Sequence, residues 1–304
     1  MPIDPMMVQI LQAVPFPRIA ELGPEGTRAK IKEMLGVIPI TVQLPKVEDR
    51  TIDGGIPVRI YWPVAEPENL PVVVFYHGGG FVIGDLDSHD SLARTVADRV
   101  GAVVVAVDYR LAPEHPFPAA VDDAFAALNW VAEHADELGV DPARLAVAGD
   151  SAGGNLSAVV AQLARDAGGP AVKFQLLWYP ATTMDNSLPS VAENADAPVL
   201  SVADMQTFLG FYASEEVAAD PPATLAPARA KDFSGLPAAY IAVAQYDPLR
   251  DDGTRYAELL REAGVPVELD NAETLVHGYA AFASLVPAAG SALGKSLAAL
   301  KAAL

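Results

Sequence analysis

The sequence predicts an α/β fold organised around a mostly parallel sheet. Two observations carry that expectation. Short apolar runs rich in β-branched residues recur, and several are continuous rather than alternating, as strands covered on both faces are. Helix-like segments separate them, and strand–helix–strand alternation implies parallel neighbours joined by right-handed crossovers.

Taken in order, residues 1–45 read as helical with proline breaks and precede the first strand. Strand-like runs fall at 58–62, 72–76, 103–107, 145–148, 174–179, 239–244 and 265–269. Helix-like segments span 88–100 and 117–138, the second ended by Gly139. Two more span 152–166, ending at Gly168-Gly169-Pro170, and 251–263, ending at Gly264 before Val265-Pro266. Residues 182–225 form a long insertion between two strands. Within it, Ser201 and Asp204 read as a capping box. The box opens a segment with Met205, Phe208, Leu209 and Tyr212 at helical spacing. Such a segment either packs on the core or forms a lid over a site. There is no internal repeat and no low-complexity tract.

Composition bounds the chemistry. The 304 residues are 51% hydrophobic and 19% charged, ample for a large core. With no cysteine there is no disulfide, thiolate zinc site, iron–sulfur cluster or cysteine nucleophile. Acidic residues number 39 against 20 basic, a formal charge of −19. Nucleic acid and anionic membranes reward positive charge, so neither is expected as a partner. The charge reads as a solubility feature. The start, MPIDPMMVQILQAVPFPR, lacks a basic n-region and is broken by prolines, a poor signal peptide. The longest buried-looking run, 102–107, is far short of the roughly 18 apolar residues of a membrane span. A soluble, cytoplasmic protein is expected. Asn155-Leu156-Ser157 matches a glycosylation sequon but lies in a segment that reads as a buried helix.

The first chemical signal is Gly149-Asp150-Ser151-Ala152-Gly153. It follows an apolar strand directly and opens a helix, the context a nucleophile elbow requires. Side chains at 149 and 153 would collide with neighbouring backbone in so tight a turn. The new helix offers free amides, including that of Ala152, and its positive dipole end.

The second signal is His77-Gly78-Gly79-Gly80-Phe81, again straight after a strand. No Gly-Lys-Ser/Thr follows, so a phosphate loop is not indicated. Gly290 to Ser296 imitates one but has a residue too few between its glycines and no preceding strand. The better reading of 77–80 is a loop whose amides approach a developing oxyanion.

With a serine nucleophile in this setting, an acid and then a histidine follow along the chain. Of His77, His89, His115, His134 and His277, only His277 comes after Ser151. It lies past the last strand-like run, where a loop would carry it over the elbow. For the acid, Asp247 stands just past the run 239–244, at a strand's carboxyl end. Asp251 and Asp252 read as caps of the next helix, and Asp270 and Glu273 are weaker rivals.

HGGGF at 77–81, GDSAGG at 149–154, DPLRD at 247–251, HG at 277–278 and VDYRLAPEHPFP at 107–118 resemble the hormone-sensitive-lipase family of α/β-hydrolase esterases. The resemblance runs from about residue 45 to about 285. It implies the α/β-hydrolase fold: a mixed, mostly parallel eight-stranded sheet flanked by helices. It also implies a helical cap made of residues 1–45 and the 182–225 insertion, over a catalytic domain of 46–181 and 226–304. The family's triad maps onto Ser151, Asp247 and His277, and its oxyanion donors onto the amides of Gly79, Gly80 and Ala152. Two departures stand out. Family members often carry Pro-Gly-Met where this chain has Asn271 to Val276, and Gln245 replaces a common Glu or Gly.

The implied activity is a serine carboxylesterase acting on short- to medium-chain acyl esters through an acyl-enzyme, with no cofactor and no metal. Candidate substrate-binding walls are Phe81, Val82, Phe208, Leu209 and Tyr212. Amide or lactone hydrolysis would run on the same triad. A non-catalytic small-molecule-binding module is the reading of another class, but such modules usually lose a triad member. Related esterases often pair through the last strand edge, so a homodimer is a further expectation.

Overall fold

The computed structural model describes residues 1–35 and 40–304, so residues 36–39 of the expected N-terminal segment lie outside the described residues. Helix α1 (Pro5–Ala13) opens on Asp4, whose carboxylate accepts from the Met6 and Met7 amides. Helix α2 (Ile19–Leu35) is kinked at Gly23, which has φ 65°, before Pro24. Strands β1 (Lys46–Ile52), β2 (Ile56–Trp62) and β3 (Leu70–Tyr76) follow, then α3 (Asp90–Val100) and β4 (Val103–Val107). Next come α4 (Ala119–Glu133), the one-turn α5 (Ala135–Leu138), β5 (Val140–Asp150), α6 (Ala152–Ala167) and β6 (Phe174–Trp178). The stretch before β7 (Ala238–Tyr246) carries α7 (Pro189–Glu193), α8 (Val202–Tyr212) and α9 (Glu215–Ala219). The chain ends with α10 (Arg250–Glu262), β8 (Val267–Val276) and α11 (Pro287–Ala303).

The eight strands form one sheet in the order β1-β2-β4-β3-β5-β6-β7-β8. β3 through β8 run parallel, whereas β2 is antiparallel to both β1 and β4. This is the mixed, mostly parallel sheet that the sequence implies. Residues 58–62 run antiparallel because no crossover helix precedes them; a short turn at Asp53–Gly55 joins β1 to β2 as a hairpin. The central strands are covered on both faces. Val72, Val74 and Tyr76 pack with α4 and α6 on one face, and Val73 and Phe75 pack with α3 and α11 on the other. A third cluster seats α10 on β6 and β7.

Several expected boundaries shift. The 117–138 helix breaks at His134, which caps α4 and stacks on Trp130. β8 runs ten residues, seven of them past the 265–269 run. It pairs with β7 up to Tyr246↔Val276. The histidine therefore sits in the turn directly after a strand longer than the apolar run suggests. The two departures from the family pattern meet here, because Asn271 Nδ2 donates to Gln245 Oε1 at 2.8 Å.

Candidate active site

The residues with chemistry converge at the carboxyl ends of the parallel strands, where an open α/β sheet leaves a crevice. Ser151 stands between β5 and α6 with φ 55° and ψ −114°. For a residue with a Cβ that backbone is strained. It is held from both sides: the Ser151 amide donates to the Trp178 carbonyl at 2.8 Å, and the Asn155 amide donates to the Ser151 carbonyl at 3.0 Å. A Cβ at Gly153 would run into the carbonyl of Tyr76, so α6 reaches the sheet only with glycine there.

His277 follows β8 directly and Asp247 follows β7. His277 Nδ1 lies 2.7 Å from Asp247 Oδ2, and its Nε2 lies 2.9 Å from Ser151 Oγ. A carboxylate only accepts, so Nδ1 carries the proton and Nε2 presents a lone pair to the serine. Asp247 is fully buried, and its other oxygen accepts from the Leu249 amide at 2.8 Å. The rivals are elsewhere. Asp251 accepts from the Ser190 amide, and Asp270 faces Lys295 at the surface. Asp252 accepts from the Thr182 and Thr183 amides at 2.9 and 2.8 Å.

The glycine loop faces the serine across the cleft. Gly79 has φ 121°, and a Cβ there would strike the carbonyl of Ile83. The turn is closed by the Val82 and Ile83 amides on the Gly79 carbonyl, at 3.0 and 2.9 Å. Ala152 opens α6, so its amide has no partner one turn back. Gly79, Gly80, Ser151, Ala152 and His277 all line a single cleft of about 1110 Å³. That is at the upper end of small-molecule sites.

Two residues behind the loop, Asp150 and His89, carry no signal in the sequence. Asp150, inside the elbow motif itself, accepts from the Gly78 amide at 2.9 Å and lies 3.3 Å from His89 Nε2. Burial pushes the Asp150 carboxyl up, but His89, His77 and the Gly78 amide outweigh it and leave it lowered. His77 is buried, and burial pushes its imidazole down to about 4, so it stays neutral. Its Nδ1 donates to the Gly78 carbonyl at 2.7 Å, and the ring stacks on Tyr109. His89 therefore belongs to the support of the site, although its sequence context is only a turn before a helix.

Four of the five expected walls line the cleft: Phe81, Phe208, Leu209 and Tyr212. Val82 does not. Its side chain is fully buried in the core cluster beneath the loop. Phe208 of α8 lies against Gly80, where an added Cβ would meet its ring. Tyr212 stacks on Phe81 with centroids 3.9 Å apart. Residues of α2 and of 40–42 line the same cleft from the other side.

Comparison with known proteins places this arrangement. A family model described as the alpha/beta hydrolase fold matches residues 73–281, more than half of the chain. The chain belongs to the α/β-hydrolases, in the hormone-sensitive-lipase family. It is 55% identical over 307 residues to the esterase LipI of Mycobacterium tuberculosis, covering 99% of this chain and 95% of that one. It is also 55% identical to the carboxylesterase NlhH of the same organism, covering 99% and 96%. Among solved structures, the hyperthermophilic esterase of the archaeon Pyrobaculum calidifontis superimposes with a TM-score of 0.92 at 41% identity, covering 99% of each chain. The motifs from which the family was inferred lie within or beside these matched spans. Among the described residues, no helix is long and apolar enough to cross a membrane.

Proposed function

We propose that this carboxylic ester hydrolase cleaves short- to medium-chain acyl esters by two-step acyl transfer at Ser151. The observation that carries the reading is the continuous hydrogen-bonded series Asp247–His277–Ser151, opening on a cleft beside the glycine loop. In the first step Ser151 Oγ attacks the ester carbonyl carbon as His277 Nε2 takes its proton. Asp247 holds the imidazole in the required tautomer and stabilises its charged form. The amides of Gly79, Gly80 and Ala152 receive the oxyanion, each worth about 2.7–4 kcal/mol of barrier. His277 then gives its proton to the leaving alcohol as the carbon–oxygen bond breaks. Water repeats the sequence on the acyl-enzyme and releases the acid.

In this reading α1, α2 and the 182–225 insertion form a cap, and the apolar side chains of α8 contact the acyl or alcohol part of the ester. The test is Ser151→Ala. Its kcat for a p-nitrophenyl ester is expected to fall roughly a millionfold, with an unchanged circular dichroism spectrum. A fluorophosphonate should label the wild type at Ser151 and leave the variant unlabelled. Undiminished turnover in the variant, or no labelling of the wild type, would overturn the reading.

A further inference from the structure

We propose that Arg28, on the N-terminal helix α2, is a positioning residue for the oxyanion loop. This rests on the reading of the Gly79 and Gly80 amides as oxyanion donors. Those amides belong to a stretch without regular secondary structure, so their direction depends on what holds the turn that follows. Three carbonyls set that turn. Gly79 O is taken by the turn itself, through Val82 and Ile83. Phe81 O accepts from the Ala112 amide at 2.9 Å. Val82 O accepts from Arg28 Nε at 2.8 Å.

The same guanidinium also donates to Ala112 O at 2.8 Å, through Nη2. Arg28 therefore grips the loop at Val82 and, at the same time, the residue whose amide fixes Phe81. Glu114 completes the arrangement, accepting from Nη1 at 2.7 Å and from Nη2 at 2.9 Å. That bidentate fork fixes the plane of the guanidinium, which a lysine ammonium would not reproduce. The Glu114 side chain is 54% exposed, so the ion pair itself contributes little to stability. The two carbonyl bonds are the ones that restrain the loop.

Helix α2 has attachments besides Arg28 on both sides of its kink at Gly23: beyond the kink, Ile31 packs against the core cluster that Phe208 and Leu209 also join. At its start Arg18 Nη1 donates to Asp204 of α8 at 2.7 Å and Nη2 donates to Ala197 O at 3.0 Å. Losing Arg28 thus releases the loop while leaving the helix in place. Donors aimed at developing charge act only in the transition state, so their misdirection lowers kcat rather than raising KM.

The test compares Arg28→Ala, Arg28→Lys and Glu114→Gln in the full chain. Thermal midpoint, kcat and KM for p-nitrophenyl butyrate, and Ki for an alkyl trifluoromethyl ketone are measured. With that ketone, Ser151 Oγ bonds to the carbonyl carbon, the hydroxyl proton moves to His277 and the carbonyl oxygen becomes the oxyanion. Arg28→Ala is expected to lower kcat by about tenfold to a hundredfold and to raise Ki in proportion, with KM within about twofold. Arg28→Lys, which keeps one or two of the donors, should recover part of both. Glu114→Gln loses half of the fork but keeps both carbonyl bonds, so its loss of kcat should be smaller than that of Arg28→Ala, with little change in the thermal midpoint. Unchanged kcat and Ki in a folded Arg28→Ala variant would overturn the inference, as would a loss confined to KM or to the thermal midpoint. The Ser151→Ala blank separates the two readings. Wild-type turnover that survives it removes the active-site assignment. Turnover that vanishes with Ser151 but ignores Arg28 removes only the positioning role.

Discussion

Ser151 stands out from its local context, His277 from its place in the chain order and Asp247 from the end of its strand, but the buried carboxylates around them are not alike. Asp252 lies behind the site, close to Asp247, and burial pushes its carboxyl up to about 6 although three donors from Thr182 and Thr183 partly offset this. In the unfolded chain it titrates near 3.8. The folded protein therefore binds the proton more tightly. Stability from this group is present below the unfolded value and is lost as pH rises through about 6. The two-unit gap corresponds to roughly 3 kcal/mol. Asp252→Asn removes the titration and keeps an oxygen acceptor for the threonine amides. Between pH 4 and pH 8 the stability difference should shift in favour of the variant by about 3 kcal/mol in denaturant titrations. A pH-independent difference would show that Asp252 is not the responsible group. His77 acts in the opposite window. Buried and neutral, it contributes stability above about 6.5 that is lost as pH falls through about 4.

At the scale of elements, the 182–225 insertion is fastened at its base as well as along its length, where Arg18 holds Ala197 and Asp204 and Ser190 holds Pro248 and Asp251. Asn155 Nδ2 donates to Ala181 O and to Leu225 O, both at 2.7 Å, and so joins the two ends of the insertion to α6. The sequon asparagine is thus a buried fastening, which agrees with its reading as a helix interior. Asn155→Ala leaves two carbonyls without their donor, at a cost of about 1–3 kcal/mol each where they stay dry. Thermal melting should register that loss, and limited proteolysis should cut within 182–225 before it cuts the sheet. Equal protease resistance in the variant would remove this role.

The capping box at Ser201 and Asp204 was legible, because both of its reciprocal bonds are local in sequence. β1 and α11 were not read as elements. β1 is an edge strand, KVEDRTI, with little apolar surface to bury, and its charged side chains serve the surface through pairs such as Arg50 with Glu48 and Glu137. α11 buries Ala289, Ala292, Leu293, Leu297 and Leu300 on one face, but its many alanines blur the contrast between faces.

For the molecule as a whole, the size of the cleft is set jointly by sheet, N-terminal segment and insertion. Phe208 is the side chain of the insertion that lies against the glycine loop. Phe208→Ala should open that arm and shift the preferred acyl chain upward. The ratio of kcat/KM for p-nitrophenyl octanoate over butyrate should rise by about tenfold, within the 1–3 kcal/mol that methylene-sized differences are worth in an apolar pocket. A chain-length profile identical to the wild type would place the acyl group elsewhere in the cleft.

The sequence by itself determined the fold class, the family, the elbow at Ser151 and the glycine loop. It did so because those features are short-range: steric limits on adjacent backbone, strand-length apolar runs and turn chemistry act over a few residues. It also narrowed the histidine and the acid to single leading candidates through chain order and strand ends. Tertiary structure alone decided that His277 reaches a serine 126 positions away, from the turn directly after β8. It alone placed Asp150 and His89 behind the glycine loop, and Arg28 on the carbonyls that follow it. Those contacts join residues whose separation in sequence carries no periodic or compositional signal, and only the packing of the sheet and helices brings them within hydrogen-bond distance.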